Sequence, residues 1–591
     1  MRHVLATPGL AYFHTTYLFY PFGTSIADHP HTALPAIVAA TLLKSASIVT
    51  AQNLLLLAYV FANMAGMYAL VWDIARHRRA AVFAAVMFGL SPYLAVHLLG
   101  HFDLVAAWVL PAFALAWRRA VRGSNASAIA AGLVLAATAY IAYYYVVYEV
   151  FFAVTYLIAG ASWIGVTRAR APRGPAVSWL RTLCLAGAIA SAGVAAIILL
   201  TGGRSFEAFA IHVSATRPQN AMTVMWLCAI GWIACGWRVA LTLDSACRAR
   251  VRRSAAIAWR VGAVFLAGAA PLLWQAAWLI ARGEYVTQQY GWRSVPHGID
   301  LLAPLLGHPL HPLMAAASVP AYAALGQNYV EVIGWIGIVP AVLLIAMHPR
   351  HIGGAETEIS AWRAVAVAFA IFALGPFLTI GGFDTGLKLP EILMRYVPFA
   401  ANARMPGRAM VGVYMALAAL IAMSFGAQTG RLRSPAVQWL LVGLVAFEYW
   451  DAPIRLTRLE HPAVYSALAA AAPGAVCEVP FGIGDGLSAG VGSQDRRILF
   501  YATLHEHPLA GGYIGRMPVD AAERYAKTAV AAPLLRLSDA APSAYLPAGE
   551  AACRYLVVNR AASSAALRAY VASLPTDRIA SDEARDLYRL R

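Results

Sequence analysis

The sequence predicts an α-helical polytopic membrane protein that ends in a small α/β domain. Two observations predict the membrane part. Of 591 residues, 60% are hydrophobic and only 12% are charged, whereas a soluble chain carries about 25% charged residues. The apolar residues also fall in blocks of about 17–25, the length that crosses about 30 Å of hydrocarbon. The third observation is a change after residue 452, where short strand-like runs alternate with helical ones.

Hydrophobic spans are read at 52–72, 80–99, 103–117, 126–142, 146–167, 180–201, 220–240, 256–281, 329–347, 361–380, 408–427 and 436–452. The fourth and fifth are separated at Tyr143–Tyr145, because tyrosine favours the interface. One set of alternate loops, including 76–79, 118–122, 168–181 and 248–253, carries eighteen arginines, against eight basic residues in the longer opposite set. The positive-inside rule makes the first set cytoplasmic. The net charge of +17 is thereby accounted for. No basic stripe interleaved with aromatics is present, which argues against nucleic acid as a partner.

This parity places residues 1–51 outside, with 33–49 as an interfacial helix, then a membrane domain over 52–452 and an exoplasmic α/β domain over 453–591. No cleavable signal peptide is visible, so an outside start predicts a transmembrane helix upstream of Met1. The outer loops 202–219, 282–328 and 381–407 are long, without obvious secondary structure, and long loops are often functional.

In the last domain, strands are expected at 475–480, 497–504, 554–559 and 587–590, with helices around 519–530 and 563–573. Cys477 and Cys553 lie in or beside two of these strands. They either pair, as an oxidising compartment permits, or remain separate buried thiols. No CxxC and no GxxxxGK[ST] occur, so neither a zinc ribbon nor an ATPase is suggested.

Several segments in order, TTYLFYPFGTSIADHPHTALPA, SPYLAVHLLGHFDLVAAWVLP at 91–111 and the stretch 373–410 with its Arg404-x-Pro406-x-Arg408 core, resemble bacterial membrane proteins of the GT-C glycosyltransferase architecture, the YfhO-like group among them. GAVCEVPFG, HEHPLAGGYIGR at 505–516 and RYLVVN also fit that group. Its centre usually reads GHLN where this chain has Gly100-His101-Phe102-Asp103. The resemblance implies transfer of a sugar from a polyprenyl-phosphate donor to a glycan, lipid or protein acceptor at the outer face. It also implies an acidic residue just after a first helix. This chain has no such helix and no acidic residue before Asp28, which agrees with the parity argument.

Arg404 and Arg408 either hold the donor phosphate, for which a guanidinium fork is suited, or snorkel to headgroups or pair with a carboxylate; Arg395 is a further candidate. Asp28, His29 and His31 can hold a divalent metal or supply a base, against a plain solvated loop. His97 and His101 share a helix face if the helix continues that far. Asp103 is either an interfacial charge or a carboxylate that activates an acceptor hydroxyl. Glu149 lies near the outer interface or is buried and paired, and Glu331 suits the dipole at the start of a helix. His308 and His311 are given no metal. The competing reading is a non-catalytic protein on the same scaffold, a lipid-glycan transporter or an assembly factor. The chain is assigned to the bacterial cytoplasmic membrane.

Overall fold

The computed structural model describes residues 12–27, 32–159, 164–168, 174–208, 211–241, 245–285, 298–346, 356–397, 400, 403–425, 433–454, 456–486, 490–539 and 552–591. The chain forms two compact units. One is 45–268 with 289–454; the other is 1–44 with 269–288 and 455–591.

Among the described residues, five helices are long and apolar enough to cross a membrane: Ile48–Ala75, Arg78–His97, Pro175–Thr201, Val251–Ala281 and Pro406–Phe425. Shorter apolar helices include Asn125–Ala139, Tyr143–Ala159, Gln219–Cys235 and Pro435–Glu448. Their ends follow local chemistry. Ser47 Oγ accepts the Thr50 N–H at 3.1 Å and starts the first helix; Arg76 ends it in the left-handed conformation. Ser124 Oγ accepts the Ser127 N–H at 3.2 Å and starts Asn125–Ala139. Pro406–Phe425 is 94% buried and Pro175–Thr201 only 11%. The first is therefore enclosed by other helices, while the second turns its leucines and isoleucines outward, as a lipid-facing helix must. Gly412 lets the central helix touch its neighbour: a Cβ there meets Phe369 Cδ1 at 2.1 Å.

Three boundaries differ from expectation. The tyrosines Tyr143–Tyr145 open a helix, and the break falls at Tyr140–Ala142. The span expected over 361–380 stops at Ala373. Gly375 takes φ +77 there, and a hairpin follows, Phe377–Ile380 with Phe383–Lys388. The span expected over 329–347 is helical only at Ile338–Ala346. Glu331 therefore sits in a turn rather than at a helix start. The dipole role expected of it falls to Glu448, which accepts from the Ile338 N–H and, at 3.0 Å, from the Val339 N–H. Two of the loops expected to be long and without secondary structure contain a helix at Ala315–Ala324 and a 3-10 helix at Pro390–Tyr396.

Arginines of the basic loop at 118–122 pair with two carboxylates, Asp73 and Glu358. Arg118, 2% exposed, bonds Asp73 and, at 2.8 Å, Glu358. Arg119 joins Asp73 at 2.8 Å and Arg122 joins Glu358 at 2.9 Å. Tyr156 and Trp362 donate to Glu358 as well. Glu149 is buried and accepts the Thr138 hydroxyl at 2.9 Å.

The second unit is built on a five-stranded sheet in the order Leu509–Ala510, Val476–Val479, Tyr555–Asn559, Arg585–Leu590, Thr576–Ser581. The first three strands run parallel and the last two pairings are antiparallel. The run at 497–504, expected as a strand from its Ile, Phe, Tyr and Thr, is the helix Ile498–His505. Burial of Ile498, Tyr501 and His505 on one face decides it, a three-four spacing that overrides β propensity. The N-terminal stretch belongs to this unit: Phe19 and Tyr20 N–H donate to Gly511 and Leu509 carbonyls, each at 2.9 Å, and Phe19 is buried in its core. Cys477 and Cys553 form a disulfide, with Cα atoms 5.6 Å apart.

Burial pushes the Glu478 carboxyl up to about 8, although Tyr465 donates to both of its oxygens and Arg585 lies near. A carboxyl raised in the folded state favours folding while protonated. Its contribution is whole below the ordinary value of 4.5 and is lost as pH rises through about 8. The unit is expected to lose up to about 1.4 kcal/mol per pH unit across that window. Glu478→Gln should remove this slope. Pulse proteolysis in urea at pH 5, 6.5 and 8 reads the difference between the two proteins; a difference independent of pH rejects the expectation.

Candidate functional site

A polar cluster in the first unit joins segments more than 300 residues apart in sequence. The helix ending at His97 leads into a turn, where the His101 N–H still bonds the His97 carbonyl at 2.9 Å. A short helix, Phe102–Val105, follows. His97 and His101 are thereby held with ring centroids 5.5 Å apart, although no single helix carries both. The adjoining backbone is pinned from the first long helix by Asn63, whose amide donates to the Val105 carbonyl at 2.8 Å.

Glu331 comes from the turn after Ala315–Ala324, closed by its own N–H to the Asn328 carbonyl at 3.0 Å. Arg408 comes from the 3-10 turn Pro406–Ala409. Its Nε lies 2.7 Å from Glu331 Oε2 and its Nη2 2.8 Å from Glu331 Oε1, a bidentate pair. The face of the guanidinium lies 4.5 Å from the Tyr144 ring centre. The close approach needs Gly407, since a Cβ there meets the Glu331 carbonyl oxygen at 2.5 Å. His101 Nε2 completes the group at 3.2 Å from Glu331 Oε1.

The charges respond to this packing. Burial works to raise the Glu331 carboxyl, but the bonds and charge of Arg408, with His101, hold it below its usual value, so it is ionised at neutral pH. Burial lowers the His101 imidazole; Glu331 opposes this and Arg408 adds to it. Arg408 and His101 both act electrostatically on Asp103. Asp103 thus stands within the field of the same arginine and the same histidine.

Of the other expected residues, Arg404 is half-buried just before the Arg408 turn. Arg395 lies 5.7 Å from the Phe377 ring centre, in the 3-10 helix after the hairpin. That helix brings a residue the sequence reading passed over. Glu391 is buried, and burial pushes its carboxyl up to about 7 against the pull of Arg395. The Pro390-Glu391 pair opening a helical turn was the available signal. Asp28, His29 and His31 lie outside the described residues. Among the described residues no group of three or more His, Cys, Asp or Glu is placed to hold a metal. His311 Nε2 faces the Phe447 carbonyl at 3.1 Å, a structural bond.

No family model matches the chain, and no curated protein does. Among solved structures it is similar to the archaeal oligosaccharyltransferase AglB from Archaeoglobus fulgidus, in complex with an inhibitory peptide and a dolichol-phosphate. Identity is 13%, over 94% of this chain and 64% of that one, with a TM-score of 0.40. It is also similar to the mycobacterial arabinofuranosyltransferase AftD, at 12% identity over 98% of this chain and 38% of that one, with a TM-score of 0.44. The chain spans less than two thirds of either. At this identity and score the likeness gives no residue a role.

Proposed function

We propose that the protein is a GT-C-like membrane glycosyltransferase that moves a sugar from a polyprenyl-phosphate donor to an envelope acceptor at the outer face of the bacterial cytoplasmic membrane. The observation that carries the reading is the bonding of His101 and Arg408 through Glu331. It unites the two segments, GHFD and RMPGR, that the resemblance singles out. A half-buried carboxylate, two imidazoles and three arginines on neighbouring outer segments suit a reaction in which a hydroxyl is deprotonated and a phosphate leaves. Arg404 and Arg408, with Arg395 as a further candidate, are the residues proposed to meet the donor phosphate, and the fork of Arg408 is shared with Glu331. Asp28 and Asp103 remain the carboxylates proposed for catalysis, and any divalent metal is proposed at Asp28, His29 and His31. The disulfide supports an exoplasmic site for the α/β unit.

The same saturated Arg408–Glu331 pair also favours the second reading, a non-catalytic lipid-glycan transporter or assembly factor. Binding of radiolabelled undecaprenyl phosphate and of its mannosyl derivative to the purified full-length protein tests the first. Binding that Arg404→Gln and Arg395→Gln each weaken by about tenfold, or about 1.4 kcal/mol, upholds it. Absence of binding by the unaltered protein overturns it.

A further inference from the structure

We propose that His97 and His101 form the seat of the acceptor hydroxyl, and that His101 Nδ1 is the base that takes its proton. This rests on the glycosyl-transfer reading and names its acceptor side. The argument is one of proton accounting. A carboxylate only accepts, so His101 Nε2, 3.2 Å from Glu331 Oε1, carries a hydrogen. Glu331 is already balanced by Arg408, so the ring needs no positive charge, and its Nδ1 holds a lone pair. That Nδ1 is shut off from solvent and meets no hydrogen-bond partner among the described residues.

His97 repeats the pattern. Its Nδ1 lies 2.7 Å from the Tyr93 carbonyl, which can only accept, so the hydrogen is on Nδ1 and the lone pair on Nε2. The His97 side chain is fully buried, and its Nε2 is likewise without a partner among the described residues. Two neighbouring imidazoles thus each spend their N–H on a fixed acceptor and keep a bare acceptor nitrogen, with ring centroids 5.5 Å apart. Buried polar atoms are normally satisfied. A pair left open in the same sense selects a ligand that brings a donor. Arg408, close enough to affect both rings electrostatically, disfavours a cation or a metal there. A neutral hydroxyl fits.

The step is balanced. The acceptor oxygen forms its bond to the anomeric carbon as the bond from that carbon to the phosphate oxygen breaks. The leaving group is the polyprenyl phosphate. The hydroxyl proton passes to His101 Nδ1, Glu331 stabilises the imidazolium, and the proton then leaves to water. His101 takes the base role proposed above for Asp28 or Asp103; Glu331, which fixes its tautomer and orientation, is a positioning residue.

The test uses the full-length protein in nanodiscs, with undecaprenyl phosphate as binding probe. Undecaprenyl-phosphoryl [14C]mannose and decaprenyl-phosphoryl [14C]arabinose serve as donors, and octyl glycosides as hydroxyl acceptors. His101→Gln retains an amide that can donate to Glu331 and lacks the base. It should bind undecaprenyl phosphate as the unaltered protein does and lose about 100-fold or more in kcat. The KM for the octyl glycoside should barely move, and the acid limb of the kcat–pH profile should disappear. Turnover by His101→Gln within about threefold of the unaltered protein, far short of the general-base range, overturns the assignment. So does loss of lipid-phosphate binding in step with turnover. An unaltered protein that binds undecaprenyl phosphate but transfers from neither donor overturns this assignment alone; one that does not bind overturns the glycosyl-transfer reading too. If His101→Gln does not fold, the kcat–pH profile of the unaltered protein decides: an acid limb from a single ionising group upholds the base, and a profile without an acid limb overturns it.

Discussion

Arg408→Ala is expected to destabilise the membrane unit by about 3–5 kcal/mol, the cost of leaving one member of a buried ion pair without its partner. The side chains of Arg408 and Glu331 are 10% and 13% exposed. Removing the guanidinium strips Glu331 of two hydrogen bonds and of most of the positive charge that keeps it ionised. The carboxylate must then take up a proton or draw in water, and both cost free energy. The double variant Arg408→Met, Glu331→Met leaves no such orphan and should recover most of the loss. Thermal unfolding of the three proteins in one detergent measures the cycle. A single variant that unfolds within a degree of the unaltered protein, or a double variant no better than Arg408→Ala, rejects the account. The result also bears on function. A recovered fold without lipid-phosphate binding separates what Arg408 does for the scaffold from what it does for a ligand.

Loss of the Cys477–Cys553 disulfide is the other large effect. The bond closes a loop of 76 residues. Restricting a chain of that length in the unfolded state is worth about 4–5 kcal/mol in the loop-entropy account, and measured losses run from about 2 to 5 kcal/mol. Both half-cystines are buried, Cys477 within the strand Val476–Val479 and Cys553 just before its parallel neighbour Tyr555–Asn559. Serine at either position adds a buried hydroxyl to the loss of the link. Cys477→Ser, Cys553→Ser should therefore make the α/β unit sensitive to protease at urea concentrations the unaltered protein withstands, and a reductant should have the same effect on the unaltered protein. Equal resistance with and without reductant shows that the link contributes little.

The membrane character and the position of most helices were legible in the sequence, because hydrocarbon allows one local solution. An apolar block with its backbone bonds closed internally is a helix wherever it sits. The three core strands at 476–479, 555–559 and 585–590 were legible for a similar reason, as short runs with apolar, β-branched or aromatic residues between turns. The helix at 498–505 was not, since its residues favour strands locally and only the core they face decides otherwise. The packing of the N-terminal stretch on the strand Leu509–Ala510 was not legible either, for the same reason. Its hydrogen bonds run to residues almost 500 positions away.

The site divides along the same line. His97, His101, Asp103, Arg404 and Arg408 could be named from residue type, position at span ends and resemblance. Nothing in the sequence says that Glu331 is the residue joining two of them, or that Glu391 lies buried in the 3-10 helix Pro390–Tyr396. What the sequence by itself determined is the set of short-range choices: where the chain is helical in lipid and which residues can carry charge or a proton. What only the tertiary structure decided is which of those charges neutralise one another. That depends on distances of about 3 Å between residues far apart in sequence, and in a low-dielectric interior such distances set which groups stay ionised and which nitrogen of an imidazole is left bare.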